Sequence, residues 1–446
     1  MNKASRYLEK IFSIKNKNGH KIFRLFGIKI LSYKKDWKKF FILAHSKRYN
    51  ITKIPENLTL QMMFNNTCNC RCKFCFAEIA QRKEDVHSFS ADQLYKDFLP
   101  LLPHTKNIVP TDGEITAAQN SLEWLNFIDK NYPSINIFLE TNGIAFDDKW
   151  SDFAVKNLAM VNFSLNAIDK EHFKKTVWEK DGVFELVERN FDNYLDKLKK
   201  KNLSALNPSV SIVLNETNYD TIEEFIKKHL KKNIRNIIVF FDCHQELNKK
   251  TYEQIQKTFI TLIEIERLIG NKIQLGFELF VPINNVPNLR KEVYVADIET
   301  LKVKHADILD LTKNMENANE FFEKRIQLRR NAGKKDYDLY EAKTGVTFHQ
   351  HIYKGYSVCD NPWTHLRVDP LGNSAPCSWY IYHPDQNINN YRDKTGQIDW
   401  IAYFNNPRRK LEKYSFEQGC YIDCMHNCPA QKKISEQEFK ALYVRG

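Results

Sequence analysis

The stretch Asn66-Thr67-Cys68-Asn69-Cys70-Arg71-Cys72-Lys73-Phe74-Cys75 carries four of the chain's 10 cysteines. It follows Leu58–Phe64, a short apolar run that reads as a strand. Cys68, Cys72 and Cys75 are spaced C-x3-C-x2-C. Three thiolates at this spacing can hold three irons of a [4Fe–4S] cube on one tight loop, leaving the fourth iron without a protein ligand. An open iron suits a cluster that binds a substrate rather than one that only carries electrons. The competing reading is structural zinc with Cys70 completing a tetrahedron, but zinc sites usually pair knuckles from separate segments. Cys70 is expected to be a loop thiol that points away from the cluster.

Outward from this loop, strands and helices alternate. Apolar runs at Leu58–Phe64, Asn107–Pro110, Ile135–Glu140, Met160–Leu165, Val210–Leu214 and Ile237–Asp242 read as strands. Helical spacing occupies Ala91–Leu102, Leu122–Tyr132, Phe184–Lys199, Ile222–Leu230 and Tyr252–Ile269. Such a succession of strand–helix units predicts an α/β fold with a parallel sheet, a partial (β/α)6 TIM-like barrel. In such barrels the chemistry sits at the carboxyl ends of the strands.

The cysteine loop with Phe74 in its aromatic position, after the first strand of such a barrel, resembles the radical S-adenosylmethionine (radical SAM) enzymes. Further matches fall in order along the chain. Asp112-Gly113-Glu114 follows the second strand, where the family has a Gly-Gly-Glu type motif, with Asp112 replacing the first glycine. Glu140-Thr141-Asn142-Gly143 follows the third, Ser164-Leu165-Asn166 ends the fourth and Asn215 ends the fifth. The resemblance covers residues 56–285. It implies that Cys68, Cys72 and Cys75 ligate the reactive [4Fe–4S] cluster, whose free iron chelates S-adenosylmethionine. It also implies that Gly113 and Glu114 fix the methionine amine, and that Ser164 and Asn166 contact the carboxylate or ribose. Phe74 would lie near the adenine, and Asn142 and Asn215 would join the cofactor site. A one-electron donor such as flavodoxin or ferredoxin is the implied partner.

A second cysteine group lies near the C-terminus. Cys359, Gly372 and Cys377 are spaced C-x12-G-x4-C, with Leu366–Gly372 reading as a strand leading into a turn. This resembles the opening of the SPASM or twitch auxiliary domain of radical enzymes. Cys420, Cys424 and Cys428 depart from the full pattern of that domain. Five thiols cannot saturate two cubes, which want roughly eight ligands. One auxiliary [4Fe–4S] cluster is therefore expected, held by Cys359, Cys377 and Cys428, with Cys424 or Cys420 completing it. His365 and His426 are weaker candidates, and structural zinc is the alternative.

The 446 residues carry a formal net charge of +12. Residues 1–55 hold 15 Lys+Arg against Glu9 and Asp36, a balance of +13, which leaves the remaining 391 residues at −1. The positive charge thus belongs to an N-terminal appendage, and a near-neutral body speaks against a nucleic-acid partner. Tyr7–Ile14 reads as a short amphipathic helix, and Lys21–Tyr33 as two short strands around Gly27. No apolar run approaches the roughly 18 residues of a membrane span, and charges near the N-terminus interrupt any signal core. A cytoplasmic location is expected, which argues against disulfides.

The expected organisation is a basic appendage (1–55), a radical SAM core (56–285), a helical linker or insertion that bridges two domains or covers a site (286–350), and an auxiliary-cluster domain (351–446). Cys243 follows the sixth strand, where a thiol could donate a hydrogen atom to a substrate radical; a buried spectator thiol is the bland alternative. The run His20–Ile30 resembles short segments at the ends of bacterial surface-polysaccharide glycosyltransferases. The first reading is hydrogen abstraction from a sugar or glycan intermediate. The appendage would then dock on an anionic membrane face or a glycosyltransferase. The rivals are a peptide-modifying maturase and a non-enzymatic, metal-stapled nucleic-acid binder.

Overall fold

The computed structural model describes residues 12–17, 20–25, 28–34, 52–75, 86–178, 180–242, 248–270, 272–279, 296–335, 345–347, 356–359, 364–375, 389–405 and 431–434. In the basic appendage, β1 (Phe12–Lys17), β2 (His20–Leu25) and β3 (Ile28–Lys34) form an antiparallel meander. The two strands expected around Gly27 are present. Of the helix expected over Tyr7–Ile14, the described residues Phe12, Ser13 and Ile14 are strand, pairing with Leu25, Arg24 and Phe23. Strand pairing here overrides a weak helical period.

The body is built on parallel strands β4 (Leu58–Met62), β5 (Thr105–Pro110), β6 (Asn136–Thr141), β7 (Met160–Ser164), β8 (Ser209–Leu214), β9 (Asn236–Phe241) and β10 (Gln274–Leu279). The sheet continues beyond the six expected strands. Gln274–Leu279 pairs with β9, and β11 (Gly345–Thr347) extends that edge. The intervening helices are α1 (Ala91–Phe98), α2 (Ser121–Asn131), α3 (Asp148–Lys156), α4 (Lys170–Thr176), α5 (Val183–Lys200), α6 (Ile222–Lys231) and α7 (Lys249–Ile269). This is the α/β partial barrel. Helices α3 and α4 escape a search for long periodicity because caps define them. Asp147 accepts from Lys149 N and Trp150 N, and Asp169 from His172 N.

Period-two alternation gives the sheet two different faces. Leu60, Ile108, Ile137, Leu139, Val161, Phe163, Val210 and Ile212 are buried in one apolar core with Trp124, Phe191 and Tyr194 of the helices. The alternate residues are mostly polar. Asn107 Nδ2 donates to Thr59 Oγ1 (3.1 Å), Asn136 Nδ2 to Asn107 Oδ1 (3.0 Å) and Asn162 Nδ2 to Ser211 Oγ (3.1 Å). The face turned away from the helices is therefore a hydrogen-bonding surface, as a polar ligand within the barrel requires.

The described helices of the segment expected to bridge domains or cover a site pack at the amino-terminal end of the barrel. Helices α8 (Ile298–Lys304), α9 (Ala306–Thr312) and α10 (Ala318–Asn331) lead into a run that closes the amino-terminal end of the barrel. Arg325 donates to Ala205 O (3.0 Å) and Asn207 O (2.7 Å), just before β8. Arg329 reaches Leu158 O before β7 and Asn136 Oδ1 at the start of β6. Lys335 N donates to Ser134 O (2.9 Å). Backbone carbonyls entering the sheet lack partners at that end, and guanidinium groups supply donors while remaining charged. The segment seals the end opposite the cysteine loop.

The C-terminal region enters the same sheet. After β12 (Tyr356–Cys359), strand β13 (His365–Val368) lies parallel to β4, followed by antiparallel β14 (Asn373–Ala375) and β15 (Asn389–Asn390). Trp400 Nε1 donates to Asp97 O (3.0 Å), and Tyr391 stacks on Trp400, fastening this region to α1. Finally β16 (Gln431–Ile434) pairs with β12.

Candidate cofactor site

The loops after the first three barrel strands meet at one junction. The cysteine loop leaves β4 and is held from outside by the end of α4, where Arg71 N donates to Val177 O (3.2 Å) and Lys73 N to Thr176 O (3.1 Å). Arg71 also donates from Nη1 to the carbonyls of Cys68 (2.9 Å) and Cys70 (2.8 Å), curling the loop on itself. Cys75 N donates to Cys72 O (3.3 Å). Cys68, Cys72 and Cys75 are partly exposed, while Cys70 is buried. Phe74 is buried in the core and anchors the loop from below.

The thiol donor set is suited to metal. Hydrogen bonding from Cys70 holds the Cys68 thiol below its ordinary range, against the opposing effect of burial. Cys70 shifts upward because its thiol serves Cys68 and Cys72. The Cys70 thiol thus lies beside those of Cys68 and Cys72. No group of three or more His, Cys, Asp or Glu side chains among the described residues is arranged around a single metal ion. In a cube, by contrast, each thiolate serves a different iron.

The loop after β5 closes against this one. Gly113 has φ +64, and a Cβ there would stand 2.5 Å from Asn65 Oδ1, 2.6 Å from Asn65 O and 2.6 Å from Thr67 O. Only glycine combines that conformation with so close an approach. Glu114 N donates to Thr67 O (3.1 Å). The Glu114 side chain is buried, and its Oε1 accepts from Thr116 N (3.1 Å), Thr116 Oγ1 (2.6 Å) and Thr141 Oγ1 (2.8 Å). Its Oε2 accepts from Asn142 N (2.8 Å). Burial raises this carboxyl, and those donors oppose the rise. The carboxylate thus clamps the second loop to the third.

Asn142 completes the junction. Its Nδ2 donates to Cys68 Sγ (3.4 Å) and Asn69 Oδ1 (2.7 Å), and its Oδ1 accepts from Ile144 N (3.0 Å). A neutral N–H directed at a thiolate stabilises its charged form. Ser164 and Ser211 share a hydrogen bond (3.2 Å). Asn166 has φ 52; its Oδ1 accepts from Val213 N (2.8 Å) and its Nδ2 donates to Ser164 O (3.2 Å), bracing the fourth loop on the fifth strand. Asn215 Oδ1 accepts from Thr217 N (2.9 Å) and Thr217 Oγ1 (2.7 Å), a local turn.

Thus Cys68, Cys72, Cys75, Gly113, Glu114 and Asn142 come together, with Ser164 and Asn166 farther along the same rim. Cys243 lies outside the described residues, as do Cys377, Cys420, Cys424 and Cys428. Cys359 pairs with Gln431, three positions beyond Cys428 in sequence. His365 is buried with Nε2 at 2.8 Å from Gln61 Oε1, and burial lowers its pKa to about 4.

Glu140, in the motif that follows the third strand, is a further residue of this rim. It is the exposed member of an otherwise buried strand and pairs in register with Asn162 on the polar face. Surrounding protein pushes its carboxyl up to about 7. Its signal was available: an acid at an inward position of a strand otherwise reading as core.

Residues 62–229 match the model of the Radical SAM superfamily. The chain is similar to the FeMo cofactor biosynthesis protein NifB of Methanocaldococcus infernus, at 23% identity over 277 residues, 58% of this chain and 82% of that protein. It is also similar to the cysteine-type anaerobic sulfatase-maturating enzyme of Clostridium novyi, at 24% identity over 41% of this chain and 50% of that enzyme. Among solved structures, Streptococcus suis SuiB bound to S-adenosylmethionine aligns with a TM-score of 0.50 and 12% identity over 92% of each chain. Native anSMEcpe with bound AdoMet aligns with a TM-score of 0.50 and 16% identity over 87% of this chain and 96% of that one. The three-thiol loop, the glycine cradle against it and the family match over the same strands make residues 62–229 a radical SAM domain, that of an S-adenosylmethionine-dependent enzyme.

Proposed function

We propose that Cys68, Cys72 and Cys75 hold the reactive [4Fe–4S] cluster and that the Gly113 turn receives the methionine amine of S-adenosylmethionine. The observation that carries this reading is the junction itself: a thiol loop, a turn that excludes any side chain, and an Asn142 amide on Cys68. A cluster held by Cys68, Cys72 and Cys75 would supply the one-electron reduction of the bound sulfonium that starts radical hydrogen abstraction from a substrate. The protein's own part is positional. Glu114 spends its side chain on Thr116, Thr141 and Asn142, so its role toward the amine falls to the main chain. Glu140 offers a carboxylate to a cationic ligand on the polar face. Ser164 lines the rim where the carboxylate or ribose would lie, while Asn166 and Asn215 brace that rim. Phe74 supports the loop.

Cys359, Cys377 and Cys428, with Cys424 or Cys420, are proposed to hold one auxiliary [4Fe–4S] cluster, and flavodoxin or ferredoxin to supply the electron. For the substrate, the first reading is a sugar or glycan intermediate, supported by the His20–Ile30 resemblance and by the hydroxyl and amide groups of Asn162, Ser164 and Ser211 on the polar face of the sheet. A peptide substrate is the second reading, favoured by the similarity to a sulfatase-maturating enzyme. Substrate-dependent formation of 5′-deoxyadenosine with nucleotide sugars or with peptides separates the two.

The cofactor assignment is tested by anaerobic reconstitution. About eight irons per chain are expected. Replacing Cys68, Cys72 and Cys75 by Ala should remove about four of them and abolish 5′-deoxyadenosine formation. Cleavage that persists in that variant places the reactive site elsewhere.

A further inference from the structure

The turn that carries Gly113 begins with Asp112, a non-glycine residue at φ 52. Left-handed backbone disfavours a residue with a Cβ, so something must hold Asp112 there. The holding group comes from far along the chain. Arg367, in the middle of β13 and fully buried, forms an ion pair through Nη2 with Asp112 Oδ2. Arg367 stands in register with Gln61 of β4, the strand that leads into the cysteine loop. Backbone bonds fix the frame around the pair: Met63 N donates to Val368 O (2.9 Å) and Thr111 N to Met62 O (2.9 Å). The guanidinium therefore reaches from the C-terminal strand, past the first barrel strand, to the turn after the second.

We propose that Asp112 and Arg367 are positioning residues through which the C-terminal strand sets the Gly113–Glu114 turn, so that affinity for S-adenosylmethionine depends on the docking of β13. This rests on the reading that the turn holds the methionine amine. A buried ion pair adds little net stability, because desolvating two charges offsets their attraction. Its value here is geometric. A planar guanidinium locked in a sheet presents a fixed anchor to one carboxylate, and that carboxylate belongs to the residue next to Gly113. Loss of the anchor frees Asp112 to leave its left-handed conformation. The cradle against Asn65 and Thr67 would then open.

The test is equilibrium dialysis of S-adenosylmethionine against the reconstituted full-length protein, together with the change that the ligand causes in the electron paramagnetic resonance spectrum of the reduced cluster. Asp112→Asn and Arg367→Met should each weaken binding about tenfold, and Arg367→Lys should recover part of the loss. Because either single change leaves a buried charge alone, the double variant Asp112→Asn/Arg367→Met keeps the test open. It removes both charges, should fold, and should still bind weakly. Wild-type affinity and an unaltered spectral response in the double variant would overturn the proposal, as would single variants that lose only thermal stability. Gly113→Ala, measured alongside, separates the two levels. If it binds normally, the amine-turn reading itself fails; if it binds weakly while the pair variants bind normally, only the coupling fails.

Discussion

Gly113→Ala tests the closeness of the cofactor junction most directly. The substitution adds one methyl group at φ +64, within 2.5–2.6 Å of Asn65 Oδ1, Asn65 O and Thr67 O. Two of these atoms are backbone and cannot rotate away. The left-handed conformation costs an alanine about 1–2 kcal/mol. Forcing extra volume into a packed site costs about 1–3 kcal/mol more. Gly182→Ala provides the control, because Gly182 has φ +78 with nothing within 4 Å of the added carbon. Both variants bear the conformational cost, and both lose similar entropy in the unfolded chain. The difference between them isolates the close approach and should be about 1–3 kcal/mol. Guanidinium unfolding of the two variants under anaerobic conditions measures it. Equal stabilities would refute the claim that the second loop presses on the cysteine loop. Gly113→Ala should also reconstitute poorly, because Thr67 directly precedes Cys68.

Other consequences are open to measurement. Glu140 has its carboxyl raised from 4.5 to about 7, so the folded protein binds a proton that the unfolded chain has released across that interval. Stability from this group therefore falls as pH rises through the window; Glu140→Gln should flatten that part of a pH–unfolding profile, and an unchanged slope would reject the assignment. Arg329→Met leaves Leu158 O and Asn136 Oδ1 without their buried donor and should cost about 1.5–3 kcal/mol, while iron content stays unchanged because the group lies at the opposite end of the barrel. Cys243→Ala should still cleave S-adenosylmethionine; if product turnover also persists, the hydrogen-donor role is rejected.

The reach of sequence reasoning differed by residue. The C-x3-C-x2-C loop was legible because all its ligands lie on one short segment, so spacing alone constrains the chemistry. Strand–helix alternation was legible because the helix-facing residues of each strand are apolar and a helical period follows each strand. Gln274–Leu279 was missed because Gln274, Gly276 and Glu278 interrupt its apolar run, and the cap-defined helices Asp148–Lys156 and Lys170–Thr176 were missed because each spans too few turns for a clear period. Within the 286–350 segment, Ile298–Lys304, Ala306–Thr312 and Ala318–Asn331 are helices while Gly345–Thr347 is a strand, and the docking depends on Arg325, Arg329 and Lys335 finding carbonyls more than a hundred residues away.

The sequence by itself determined the local chemistry: which thiols share a loop, which glycine follows the second strand, and where the charge resides. These depend on neighbours along the chain, where covalent spacing limits the geometry. Only the tertiary structure decided that Glu114 serves as a clamp and that Arg367 meets Asp112. Those facts arise from strand register and loop closure between segments tens to hundreds of residues apart, where a one-residue shift would turn each side chain to the opposite face.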